Sequence, residues 1–401
     1  MRDLKSILLY TIGGKMKIVF VTNFYNHHQS HLAEAFYNLI GDDYSFIETS
    51  PISEDRLKLG WGREEKPSFV KQMYVRESVS ECQLLIDGAD VVIHGSAPYE
   101  LLKTRLKDGK LTFKYSERKY KDGCPVIKLP RHFLINNKKY RRYKNFYILC
   151  ASAYTSADYA KTLTFKNKAY KWGYFTEVKE YDDFNALVEA KRPASILWVA
   201  RLIELKHPEA ALQVARRLKA DGYNFELNII GIGGLENAIR SFIEETQLDD
   251  CVHLLGSMTP DKVREHMEQS EIFLFNSDRR EGWGAVLNES MNSGCAVVAS
   301  HAIGSVPFLL KDGENGFIYK DGNIDDLYSK VKYLLDNPEK RKNMAKNAYL
   351  TMKNEWNAEN AAKKFIEQVE VLMSGEKISF IHKDGVCSKS EILSDNWIYK
   401  K

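Results

Sequence analysis

The sequence predicts an α/β protein made of two doubly wound parallel sheets. Three observations lead there. Short, near-continuous apolar runs alternate with helical patterns along most of the chain, as expected of parallel strands covered on both faces. The alternation stops at a composition break, Tyr181 to Pro193 (YDDFNALVEAKRP), and then restarts. The length of 401 residues suits two domains of about 100–200 residues each.

In the first half, Lys17 to Thr22 reads as a buried strand, followed by a polar loop and a helix from about Gln29 to Ile40. Tyr44 to Thr49 is a second strand, Cys82 to Ile86 lies on a helix, and Asp90 to His94 is a strand. Pro98 to Lys107 is helical and Leu111 to Ser116 a strand, with Val126 to Leu129, Phe146 to Ala151 and Ala169 to Trp172 as weaker strands. The second series has strands at Ile196 to Ala200, Phe225 to Gly231, Val252 to Leu255, Ile272 to Phe275, Ala296 to Ser300 and Phe317 to Tyr319. Its helices are Pro208 to Ala220, Leu235 to Thr246, Pro260 to Gln269, Gly284 to Asn292, Asp325 to Leu335 and Ala358 to Met373. The expected units are residues 1–190 and 191–375, with 376–401 an unassigned tail. A new start at Met16 (MKIVFVTN) makes residues 1–15 a short extension rather than a signal peptide, since Asp3 intervenes and no A-x-A site follows.

Composition excludes several classes. Hydrophobic residues are 44% and charged residues 28%, which is ordinary globular usage and not that of a disordered or collagen-like chain. Six cysteines without a C-x-x-C pair argue against a disulfide scaffold or zinc ribbon and fit a reducing, cytoplasmic setting. The longest uncharged run, Met291 to Leu310, is broken by glycine, proline and histidine, so no transmembrane helix is expected. The net charge of +4 is uneven: Leu101 to Lys144 holds 15 basic residues against Asp108, Glu117 and Asp122, with aromatics interleaved. That pattern fits solvated helix faces or an anionic partner, either a membrane surface or a phosphate-bearing substrate. No nucleic-acid-binding module accompanies it.

Four stretches carry the chemistry. In SDRREGWGAVLNE, Ser277 to Glu289, a strand ends, a loop holds Glu281, and a helix carries Glu289. Gly282 and Gly284 allow close backbone approach, and the N–H groups of Gly284, Ala285 and Val286 at a helix start suit a phosphate. In ILWVARLIELKHP, Arg201 and Lys206 follow a buried strand, where phosphates bind in doubly wound sheets. In IIGIGG, Gly231 and Gly233 follow the next strand, weak by themselves because a tight turn would also use them. In HAIGSVPFLLKDGENG, Gly304 and Ser305 precede a short helix.

Taken in this order, residues from about Ser195 to Ala362 closely resemble family 4 of the retaining GT-B glycosyltransferases, the glycosyl transferases group 1. The matching pieces are VARLIELKHPE, IIGIGG, LLGSM, the Glu281/Glu289 pair and GSVPFLLKDGENGFIY. DVVIHGSAP in the first half matches the family's strand-plus-histidine element, and YSER at Tyr115 to Arg118 resembles bacterial surface and capsular polysaccharide enzymes. The resemblance implies a GT-B fold, two Rossmann-like domains facing across a cleft. It implies transfer of a sugar from a nucleotide sugar to a glycan or polyprenyl-linked acceptor, with retention. Arg201 and Lys206 would grip the donor diphosphate, and Glu289 the ribose. Glu281 and the backbone of Gly282, Trp283, Gly284, Ala285 and Val286 would meet the donor sugar and phosphate, with Gly231 and Gly233 beside them. His94 would approach the sugar from the first domain. His28, Ser116, Glu117 and Arg118 fall on the acceptor side. UDP is favoured among the bases.

The loop NFYNHHQSH, Asn23 to His31, replaces the family's frequent Gly-Gly turn and leaves the roles of His27, His28 and His31 open. No D-x-D occurs, so fixed cations are expected to stabilise the leaving diphosphate without a metal. The expected place is the cytoplasm or the inner face of the cell membrane. A GT-B phosphorylase or epimerase, and a non-catalytic GT-B binding subunit, are the alternatives.

Overall fold

A computed structural model describes residues 16–54, 65–376 and 378–400; the proposed extension at 1–15 lies outside them. Two parallel sheets form. The first has β1 (Ile18–Thr22), β2 (Tyr44–Glu48), β3 (Val70–Gln72), β4 (Val91–His94), β5 (Leu111–Ser116), β6 (Phe146–Cys150) and β7 (Ala169–Lys171). The second has β8 (Arg192–Val199), β9 (Glu226–Ile230), β10 (Val252–Gly256), β11 (Ser270–Phe275), β12 (Ala296–Ser300) and β13 (Phe317–Tyr319). Their spatial orders are 3-2-1-4-5-6-7 and 10-9-8-11-12-13. Strand order reverses between β1 and β4 and between β8 and β11, and ligand crevices of open α/β sheets lie beyond the carboxyl ends at such points. His94 ends β4, Arg201 follows β8, and Glu281 follows β11.

The strands are buried on both faces, β1 and β12 at every residue, which is why their sequences read as unbroken apolar runs. One apolar cluster joins the two units through Trp172, Phe175, Trp283 and Trp356. The helix Ala358–Met373, expected with the second half, instead crosses back. Its Phe365 meets Phe36, Phe113 and Trp172 of the first unit at ring separations of 5.6, 4.9 and 5.7 Å. The tail then edges the first sheet: Cys387 N–H donates to Lys171 O at 2.8 Å and Ser390 N–H to Ala169 O at 2.9 Å.

Two differences from the sequence reading have physical causes. Val126 to Leu129 is not a strand but a 3₁₀ turn, Val126–Lys128, running into the helix Leu129–Asn136. Proline at position 130 suits a helix start, where its missing N–H costs nothing. The helix Pro338–Asn354 was not foreseen. Its Lys- and Asn-rich surface masks a stripe at Met344, Ala345, Ala348, Tyr349 and Met352, although Pro338 after Asn337 is itself a start signal. All six cysteines are free, five of them buried. Among the described residues no helix is long and apolar enough to cross a membrane.

Candidate functional site

The cleft is built from loops after β1, β4, β5 and β6 on one side and after β8, β9, β11 and β12 on the other. Ala153 N–H donates to Gly304 O at 2.8 Å, and Tyr154 Oη–H donates to His301 O. A Cβ on Gly304 would sit 1.8 Å from Gly282 O and 2.5 Å from Ser152 Oγ. Glycine here lets three backbone segments from both domains meet.

On the second domain, Lys206 Nζ pairs with the Glu281 carboxylate, which also accepts Ser277 Oγ–H at 3.1 Å. The two residues assigned separately to phosphate and sugar are therefore one unit. A mostly buried ammonium and carboxylate compensate each other until an anion enters. Arg201 is exposed at the cleft. The residues around it are zipped to the β9 loop: Leu202 N–H donates to Ile232 O at 2.9 Å and Leu235 N–H to Leu202 O at 3.0 Å.

That zipper changes the reading of IIGIGG. Gly231 has φ +144° and a Cβ there would fall 1.8 Å from Ala200 O; a Cβ on Gly233 would fall 2.3 Å from Leu202 O. These glycines admit the neighbouring chain that carries Arg201, so they position the site rather than leave room for a ligand. Gly284 has φ +82°, and the helix begins only at Val286. No protein acceptor takes the N–H groups of Gly284, Ala285 or Val286 among the described residues, so the turn ahead of the helix carries three open donors.

Glu289 is half-buried on that helix. Burial pushes its carboxyl up to about 7, with Arg264 acting in the opposite direction. Arg264 is itself fixed by Glu289 O at 3.2 Å and by Asn292 Oδ1. Trp283, expected at the donor through its backbone, sends its side chain elsewhere. Its indole is fully buried and donates to Asn288 Oδ1 at 2.9 Å. It packs under Gly173, where a Cβ would approach the ring to 2.3 Å. Its side chain is interdomain core and cannot touch a donor in the cleft.

On the first domain, His94 is buried, and burial and then Lys114 hold it down to about 4. Its Nε2 lies 3.3 Å from Pro98 O, which assigns the proton to that nitrogen. A neutral imidazole here is a hydrogen-bonding group, not an acid. Glu117 stands directly across from the donor loop: a Cβ on Gly282 would lie 2.0 Å from its Oε2. Tyr174 Oη–H donates to Glu117 Oε1 at 2.6 Å and Lys121 Nζ to Oε2 at 2.5 Å. Ser116 lines the same cavity, its hydroxyl donating to Glu117 O at 2.9 Å.

Arg118 was expected to meet the acceptor. Its guanidinium lines the same cavity as Ser116 and is anchored through Nη2, 3.4 Å from Asp158 and 2.9 Å from Asp395 of the tail, and stacked 4.8 Å from the Tyr154 ring, while its buried Nε and Nη1 have no protein partner among the described residues. His28 stacks on Tyr174 at 5.6 Å, and burial and His27 lower it to about 3. The Asn23 to His31 loop is short because the helix starts at His27, capped by Asn26 Oδ1 accepting from His28 N–H at 2.9 Å. His31 lines a different pocket beside Thr176 and Lys353.

Sequence reasoning missed Asn276 and Lys114. Asn276, just after β11, is buried with neither amide atom partnered, which is costly unless a ligand satisfies it. Its position one residue before the motif was the available signal. Among the described residues no group of three metal-ligating side chains is gathered.

Residues 180–351 match the family model for glycosyl transferases group 1. The amylovoran biosynthesis glycosyltransferase AmsK of Erwinia amylovora is 34% identical over 141 residues, 34% of each chain. The putative colanic acid biosynthesis glycosyltransferase WcaL of Salmonella typhimurium is 31% identical over 144 residues, 35% of each. The match thus spans about a third of the length of these curated relatives. Anabaena HepE in complex with UDP superposes with a TM-score of 0.66 at 14% identity, covering 90% of this chain and all of that one. Sucrose-phosphate synthase of Thermosynechococcus elongatus gives 0.63 at 14%, again over 90% of this chain and all of that one. The fold is a two-domain Rossmann-like GT-B fold, and its second domain is similar to the glycosyl transferases group 1 model over residues 180–351.

Proposed function

From that domain and that cleft, we propose that the chain is a glycosyltransferase that moves a sugar from a nucleotide diphosphate to a glycan or lipid-linked acceptor in surface polysaccharide synthesis. The observation that carries it is the pairing of Lys206, after β8, with Glu281, after β11, beside a Gly282 turn that meets Glu117 of the other domain. Departure of the nucleoside diphosphate breaks the bond from its oxygen to the anomeric carbon and develops charge on that oxygen. One cation about 4 Å away at an effective dielectric of about 20 contributes a gross ~4 kcal/mol. Lys206 and Arg201 supply such cations. The acceptor oxygen bonds to the same face of the anomeric carbon, its proton passing to the departing diphosphate. Glu289, in its ionised form, accepts from the ribose hydroxyls. The relatives named for amylovoran and colanic acid biosynthesis favour an exopolysaccharide product. A Campylobacter jejuni relative, 31% identical over 147 residues and named for a diphospho-undecaprenol-linked acceptor, favours a lipid carrier.

The same reading places the first domain on an anionic membrane at its cytoplasmic face. Val126, Ile127 and Leu134 are 79, 88 and 67% exposed on one turn-and-helix segment. Lys128, Arg131, Lys138, Arg141 and Arg142 stand on the same segment and its continuation. Protruding apolar side chains among basic ones suit an interfacial helix. The test of the enzymatic reading is a thermal-shift screen of nucleoside diphosphates and their sugars. A ligand at about 100 times its Kd should stabilise the chain by ~2.7 kcal/mol. UDP is expected to give the largest shift, and no shift with any nucleoside diphosphate would sink the proposal.

A further inference from the structure

The first domain holds a cavity of about 420 Å³ beside the cleft, lined by His94, Ser96, Tyr99, Lys114, Ser116 and Glu117 among others. Its far wall is Tyr140, in the turn Asn137–Arg141 that continues the exposed basic segment. Lys114 projects from β5 in register with His94 of β4. It is half-buried, and its ammonium lies 5.8 Å from the Tyr140 ring.

What sets Lys114 apart is the lack of a counter-charge. No carboxylate or carbonyl accepts from it among the described residues. The one acidic side chain lining the cavity, Glu117, has its two oxygens taken by Tyr174 and Lys121. The charges nearest Lys114 are cations, Lys119 and Lys139, and together with burial they lower it to about 8. The protein's own structural lysine provides the contrast. Buried Lys191 donates to four backbone carbonyls, those of Met267, Glu268, Ser270 and Ser293, at 2.9–3.1 Å. A desolvated ammonium without acceptors is costly, and a cation kept so in a cavity is arranged for an anion that arrives from outside.

We propose that this cavity binds an oxyanion of the acceptor, with Lys114 as its counter-cation. The chemistry fits either a phosphate of a lipid carrier or the carboxylate of an acidic sugar. The proposal rests on the transferase reading, since it treats the cavity as the acceptor side of the cleft. It adds a substrate class, an anionic acceptor, and a residue that reads it.

The experiment separates the two claims. UDP is first titrated alone into the full chain and into Lys114→Gln, which tests the donor site and checks that the variant is folded. Geranyl diphosphate and glucuronate are then titrated with UDP at saturation, so that the donor diphosphate site is closed to them. One of the two anions is expected to bind the UDP-loaded chain. Lys114→Gln should weaken that binding at least tenfold, and Lys114→Arg should retain it within about threefold. A response to geranyl diphosphate assigns a lipid phosphate, and one to glucuronate an acidic sugar. Equal affinity of the chain and Lys114→Gln for both anions, or binding of neither by the UDP-loaded chain, overturns the proposal. If no nucleoside diphosphate binds but an anion response still depends on Lys114, the donor reading fails and the anion site stands. Should Lys114→Gln fail to take up UDP, Lys114→Met provides the second charge-free variant on which the same comparison is decided.

Discussion

Replacing Glu289 with Gln is expected to stabilise the protein while weakening its hold on nucleotide. The carboxyl titrates near 7 instead of 4.5 because burial opposes its charge more than Arg264 relieves it. A carboxyl raised in this way favours the folded state most below pH 4.5 and loses that advantage as pH climbs through 7. At ~1.4 kcal/mol per pH unit, and allowing for partial exposure, ionised Glu289 costs the native state about 2–3 kcal/mol at pH 8. Gln removes the charge and leaves the shape. Differential scanning fluorimetry at pH 5 and pH 8 should therefore show little difference between the proteins at pH 5. At pH 8 the variant should melt several degrees higher. Calorimetric titration of UDP at pH 8 should show about tenfold weaker binding, because a charge-assisted hydrogen bond to the ribose becomes a neutral one worth ~1.4 kcal/mol less. A variant that melts with the parent at pH 8, or by the same margin at both pH values, would refute the electrostatic argument. Unchanged UDP affinity would refute the ribose assignment.

Lys206→Ala should lower kcat by about 10²–10³, the scale of losing one preorganised donor to a developing oxyanion, and also lower the melting temperature because Glu281 loses its counter-charge; steady-state kinetics of the folded variant with normal turnover would reject the diphosphate role. Transfer should survive EDTA, because the cleft offers Lys206 and Arg201 as fixed cations, and loss of activity restored by magnesium or manganese is the contrary result. Co-sedimentation with liposomes should rise with anionic lipid and fall with salt, each basic residue near the surface adding ~1 kcal/mol. Reversal of Lys138, Lys139, Arg141 and Arg142 to Glu should weaken it, and binding indifferent to lipid charge would dissociate this face from the membrane.

The places of the proposed donor-side residues were readable because they sit after strands and on a helix of one regular alternating series. Arg201, Lys206, Glu281 and Glu289 all fall within one contiguous domain. The reasons for particular residues were less readable. Gly231 and Gly233 look like ligand-facing glycines in one dimension, yet they accommodate the Ala200–Leu202 backbone, a contact between segments 31 residues apart. Trp283 sits in the middle of the motif, but its burial depends on Gly173 and Trp356 from outside it. Lys114 was hidden within a stretch of many lysines. What distinguishes it is the absence of a counter-charge among the described residues, and counter-charges are brought near by folding. Arg118 could not be assigned without knowing where Asp395 returns.

The return of the chain has a mechanical consequence. The polypeptide leaves the first domain after Trp172 and re-enters it at Ala358, so two separate spans, and not one, join the halves. Two anchorages define an axis. A body tethered at one point can swivel in any direction, whereas one tethered at two can only swing about the line between them. Displacement of one half against the other is thereby restrained at two places rather than one. Asp395, on the last stretch of chain, reaches Arg118 of the first domain at 2.9 Å and Arg279 of the second at 3.4 Å. One carboxylate thus ties the two halves together through charge, beside the apolar cluster that joins them.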